Sequence, residues 1–86
     1  MIDLFYKKLS IHRATIQETE NQAYDAIKNN LSSKEELLKM LIDSVNIMLS
    51  MIKEGFDKKY MNRSEYKELL NNYTLIKETA EIFLGI

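Results

Sequence analysis

The chain contains no cysteine, no proline and no tryptophan, and its only glycines are Gly55 and Gly85. Without Cys there is neither a disulfide nor a thiolate metal site. Pro and Gly are the two strongest helix breakers, and their near-absence favours long helices. No wholly apolar run exceeds three residues, far short of the roughly 20 that a membrane-spanning helix needs. The opening Met1-Ile2-Asp3 lacks a charged segment followed by an apolar one, so a cytoplasmic location is expected. An excess of one charge sign is missing too: 12 basic and 13 acidic side chains leave a net charge of −1. A balanced surface exerts little long-range pull on polyanions, which argues against a dedicated nucleic-acid or membrane-surface binder.

What remains is a chain of 86 residues, 45% hydrophobic, enough for one small domain. Apolar residues recur at spacings of three and four, and period-two alternation is nowhere sustained, so the fold class expected is all-α with three helices. The first runs from about Asp3 to Asn29, with Ile2, Phe5, Leu9, Ile16, Ala23 and Ile27 on one face and Tyr6, Tyr24 and Leu31 at its margin. Its middle is thin, because Gln17 to Gln22 is uniformly polar and Glu20 falls on the apolar stripe. Either the helix passes through water there, or it kinks or orders on a partner. Asn29 and Asn30 suit a helix end, since Asn tolerates the left-handed conformation.

Ser32 and Ser33, three residues before Glu35 and Glu36, predict a capping box at the start of the second helix. That helix should close near Glu54, with Gly55 as the left-handed residue. Asn62, three residues before Glu65, predicts the N-cap of the third. Its stripe comprises Tyr66, Leu69, Leu70, Tyr73, Ile76, Ala80, Phe83 and Leu84, with Leu75 and Ile82 in line on the opposite side. Short links make a three-helix up-down-up bundle the simplest packing, the alternative being a helical hairpin with a long first helix.

The second helix carries the most information. Leu38, Leu41, Ile42, Val45, Met48, Leu49 and Ile52 form one apolar stripe, and Leu37, Met40, Ile47 and Met51 form another beside it. A helix packed on one neighbour needs an apolar arc of roughly 100°. This arc is about twice that, so the helix must meet two neighbours, or one neighbour and another molecule. Leu38, Leu41, Val45, Leu49 and Ile52 are assigned to the core. Met40, Ile47 and Met51 are assigned to a partner surface, with Leu75 and Ile82 as a second candidate. The clustered thioethers suit an adaptable contact.

Residues that could carry chemistry are sparse. His12 is the single histidine, at the edge of an apolar stripe, with no nucleophile or second histidine near it in sequence. No Glu-x-x-His pair, calcium loop or Gly-rich phosphate loop is present. Neither an enzyme nor a cofactor or metal requirement is expected. Arg63, Lys67 and Asn71 share a face at spacings of four, near Lys58 and Lys59, and could serve a small DNA-binding regulator. Glu65 and Glu68 in the same turns dilute that field.

Residues 45–86, VNIMLSMIKEGFDKKYMNRSEYKELLNNYTLIKETAEIFLGI, follow the order amphipathic helix, short charged turn, Tyr-bearing helix start and aliphatic end. This half of the chain resembles the small helical-hairpin co-chaperones of type III secretion needle subunits. The resemblance lies in layout rather than in diagnostic residues, and the long first helix departs from it. It implies a cytoplasmic protein that pairs with a second chaperone to keep a needle subunit soluble. In size and helical build the chain is also similar to bacteriocin-immunity proteins. The expectation is therefore a non-enzymatic interaction module (chaperone, adaptor or inhibitor) that covers a partner's apolar helix, the partner being another protein or a second copy.

Overall fold

The computed structural model describes residues 2–85. It is all-α, with α1 at Ile2–Lys28, α2 at Lys34–Asp57 and α3 at Arg63–Leu84. Among the described residues there is no strand, and no helix is long and apolar enough to cross a membrane.

α1 runs unbroken through Gln17–Gln22. The inward position of that stretch is taken by Thr19, which is buried and donates its hydroxyl proton to the Thr15 carbonyl at 2.9 Å. Ala23, fully buried, follows one turn later. The other polar side chains are exposed or sit at the boundary, so the helix loses width in its core face without losing continuity. It closes as expected at Asn30, whose φ of 52° is left-handed, with the Leu31 N–H donating to the Ala26 carbonyl.

Two predicted termini differ. Ser33 caps α2 from a helical conformation (φ −77°, ψ −7°) and its side chain bonds no backbone amide, so the expected capping box is not formed. A capping hydroxyl needs an extended residue to reach back over the first turn, and here the chain is already turning. At the far end α2 does not stop at Gly55 but continues to Asp57, and Lys59 is the left-handed residue, with φ 62°. Gly55 serves a different purpose. A methyl group there would fall inside the Phe5 ring of α1, so the missing side chain permits a close helix contact. Asn62 behaves as predicted, extended at ψ 170° and accepting the Glu65 N–H at 2.8 Å.

The direction of each helix follows from pairs that meet at the ends. Phe5 lies 5.3 Å from Tyr60, ring centre to ring centre, and Tyr24 lies 5.7 Å from Phe83. α1 and α3 thus run parallel, with α2 antiparallel to both. The core is centred on α2, where Leu38, Leu41, Val45, Met48 and Ile52 are buried and Ile42 and Leu49 half-buried. α1 contributes Leu9, Ile16 and Ala23, and α3 contributes Tyr73 and Ala80. Both outer helices pack on α2, while no Cα of α1 comes within 8 Å of a Cα of α3. This accounts for most of the wide apolar arc. The flattened outline, 43 × 21 × 15 Å across the Cα atoms, follows from the same arrangement. Ile2 and Phe83, expected inside, are about half exposed, because the end turns of α1 and α3 overrun the buried stretch.

Candidate functional site

Three features stand out from the background of solvated charge. The first follows the seam of α1 and α2 on the side away from α3. Helical spacing sets the core face of α2 along Leu38, Leu41, Val45, Met48 and Ile52, and Met40 and Ile47 then fall about a quarter-turn or more outside it. They are 49% and 53% exposed. On α1, Leu4 and Ile11 stand two turns apart on the matching outer line and are 51% and 59% exposed. Met51 belongs to both worlds: it is half-buried, and it lines a shallow hollow with Leu4, Phe5, Lys8, Glu54, Lys58 and Tyr60. Three of the residues assigned from sequence to a partner surface are therefore on one face. Sequence reading missed Leu4 and Ile11, although their seven-residue spacing off the main stripe of α1 is the same signal that picked out Leu75 and Ile82.

Leu75 and Ile82 are the second feature. They are 64% and 75% exposed on the back of α3, opposite its buried Tyr73 and Ala80. Arg63, Lys67 and Asn71 are exposed and lead along α3 into the same line. This face is not continuous with Met40 and Ile47, so the two partner-surface candidates are separate surfaces.

The third feature is the furrow where α1 and α3 part over α2. Its hollow of about 320 Å³ is floored by Ile16, Leu69, Tyr73 and Ile76 and rimmed by Arg13, Glu20 and Glu68. Burial pushes the Tyr73 hydroxyl above its ordinary range, with Arg13 opposing and Glu20 assisting. The rim charges are mixed and no polar groups converge on one point, as a small-molecule site requires.

Charged and polar contacts around the first surface are specific. Glu35 and Lys39 pair at 3.3 Å near the start of α2, and Glu54 and Lys58 pair at 2.8 Å near its end. The Lys58 ammonium holds the Glu54 carboxyl below its ordinary range. At the same end the Tyr6 hydroxyl donates to Glu65 Oε1 at 2.7 Å, with the Tyr60 carbonyl oxygen 3.2 Å away. That bond, helped by burial and by the negative charge of Glu65, pushes the Tyr6 pKa up to about 12. It also ties the start of α1 to the start of α3. His12 sits half-buried at the edge of the α1 stripe. Among the described residues no group of three or more His, Cys, Asp or Glu side chains gathers closely enough to hold a metal ion.

No family model, curated protein or solved structure matches the chain.

Proposed function

We propose that the protein is a non-enzymatic interaction module whose α1/α2 face receives an apolar helix. The observation that supports this is that half-exposed Leu4 and Ile11 on α1, and Met40 and Ile47 on α2, stand on the outer lines of two packed helices, with Leu4 and Met51 lining one hollow between them. Isolated exposed aliphatics are ordinary, but several gathered on one face of two neighbouring helices are the usual mark of a contact surface. A helix laid in the groove between two antiparallel helices would place its own apolar residues at spacings of three and four against this face. Chaperone, adaptor and inhibitor are the roles such a surface serves, and the likeness of residues 45–86 to secretion co-chaperones puts a chaperone first among them. Arg63, Lys67 and Asn71 gain no supporting contact beyond their shared line, so a DNA-binding role is not pursued.

The test uses a fluorescently labelled amphipathic peptide of Leu and Lys, titrated with the purified chain. Saturable binding is expected, and Ile47→Asp should weaken it at least about tenfold, the effect of losing a central apolar contact, with the far-ultraviolet helical signal unchanged. Ile47 is chosen over Met51 because Met51 is partly core. Equal binding by both proteins, or none by the native chain, overturns the reading.

A further inference from the structure

We infer that the helix received on the α1/α2 face carries its charge in two blocks: Lys or Arg on both sides of its apolar stripe over the half that lies on Met40, and neutral or acidic flanks over the half that lies on Leu4. This rests on the interaction-module reading and names the partner's chemistry.

The carboxylates of α1 and α2 support it. Phe5 packs over Gly55, and Ile27 lies beside Lys34 and Glu35. Two antiparallel helices that rise alike then set Asp43 level with about residue 18 of α1, and Glu36 level with about residue 25. Glu18 and Asp25 stand at those levels on α1. By helical angle, Glu36 and Asp43 fall within about 60° of the Met40–Ile47 line of α2, on its outer side. Glu18 and Asp25 fall within about 60° of the Leu4–Ile11 line of α1, again on the outer side. All four are exposed. Among the described residues none of them forms an ion pair, and Asp25 accepts an amide proton of the Asn29 side chain at 3.1 Å. Met40 therefore lies between two opposed acidic pairs, Glu18 with Asp43 and Asp25 with Glu36. Basic side chains on both flanks of an incoming helix would relieve that repulsion while its apolar stripe covers Met40.

The Gly55 end of the face has the opposite sign. Lys7 and Lys8 stand on α1 there, and Lys58 on α2, around Glu54. Glu54 accepts from Lys58 at 2.8 Å, and Lys8 is near enough to help hold its carboxyl down. Three bases against one acid leave this half weakly positive. Farther out on α2 the charges cancel, because Glu35 holds Lys39 at 3.3 Å and Lys53 is followed one turn later by Asp57. The field along the face thus runs from positive beside Leu4 to negative beside Met40. A helix with Lys on every flank meets like charge at the first end, and one with Glu on every flank meets it at the second. A helix with two blocks meets it at neither. Its chain direction is free, since the dipoles of antiparallel α1 and α2 oppose one another.

The apolar residues set the length of the occupant. Met40 is level with about residue 21 of α1, so the face from Leu4 to Met40 spans about 25 Å, or roughly 17 residues of helix. That fits within the 43 Å length of the molecule. Ile11 is level with about residue 49 of α2, beside Ile47, so these two stand near the middle, where the field changes sign. Exposed charge pairs are worth little singly and are screened by salt, so the preference comes from several acting together and is largest at low ionic strength.

The experiment titrates three labelled peptides, each about 18 residues long and sharing one Leu stripe, with the full chain at low salt. In the first, Lys flanks the stripe over one half and Glu over the other. In the second the same Lys and Glu alternate, and in the third Glu flanks the stripe throughout. The blocked peptide should bind at least about tenfold more tightly than the other two, and more tightly than the Leu/Lys peptide. Glu18→Lys with Asp43→Lys should weaken the blocked peptide about tenfold. The same double variant should hold the all-Glu peptide more tightly than the native chain does. An equal change of net charge on α3, Glu68→Lys with Glu78→Lys, should alter neither. Circular dichroism on every sample confirms that the helices are intact. Equal binding of all the peptides, still lost in Ile47→Asp, overturns the charge blocks and leaves the interaction-module reading standing. An effect of the α3 pair as large as that of the α1/α2 pair overturns them too, by reducing the preference to net charge. Binding of no peptide sinks both readings. Sedimentation equilibrium of the chain alone checks the other occupant: a dimer dissolved by Ile47→Asp assigns the face to a second copy and overturns the inference.

Discussion

Individual residues in this protein often play parts other than their type suggests. Gly55 has the character of a helix terminator, yet it sits inside α2 under the Phe5 ring. Gly→Ala in a helix interior ordinarily gains up to about 1 kcal/mol. Here the added methyl must displace an aromatic ring, so Gly55→Ala should lower unfolding stability by about 1–3 kcal/mol in urea titrations. Phe5→Leu in the same chain should return part of that loss, because the two groups compete for one volume. Tyr6 offers a second check. Its folded pKa of about 12 exceeds the ordinary value of 10.0, so the folded state favours the neutral phenol. The stability this contributes is fully present below pH 10 and is lost as pH rises from about 10 to about 12. Spectrophotometric titration should show a tyrosine ionising at the upper end of that range, and Glu65→Gln, which removes the charge and the strongest acceptor, should bring it down.

Elements differ in how they are begun and held. The N-cap of α3 is made by a side chain, Asn62, while that of α2 is not. Asn62→Ala should therefore cost about 0.5–2 kcal/mol, whereas Ser33→Ala should stay within about 0.5 kcal/mol of the native chain. Thermal or urea unfolding of the pair gives the comparison directly, and equal losses would show that Ser33 caps in solution. α2 itself divides by face. Leu41 is fully buried between the outer helices, so Leu41→Ala should cost about 2–5 kcal/mol. Met40, its neighbour in sequence, is half exposed. Met40→Ala should leave the unfolding of a dilute chain within about 0.5 kcal/mol.

For the whole molecule the governing fact is that α2 is shared and α1 and α3 are not. Two helices packed against a third along separate lines bury most of its apolar arc and leave its outer edge, with that of α1, open. A helix received at that edge binds the folded form alone, so saturating Leu/Lys peptide should raise the melting temperature of the native chain. Calorimetric scans with and without the peptide test this, and a midpoint that the peptide leaves unchanged would count against the contact surface.

The sequence alone was enough to determine three helices, the central place of α2, the burial of Leu38, Leu41, Val45 and Ile52 (Leu49, assigned with them, is half-buried) and the outward position of Met40, Ile47, Leu75 and Ile82. These follow from angular periodicity, which depends only on the local winding of the backbone. Tertiary structure alone decided that α1 stays continuous through its polar middle, that Gly55 accommodates Phe5 and that Met51 is half enclosed beside Leu4 and Tyr60. It also decided that Leu4 and Ile11 join Met40 and Ile47 while Leu75 and Ile82 do not. Those facts depend on which helix flank meets which, and that is set by the relative rotation and spacing of whole helices, a quantity that no single helix encodes.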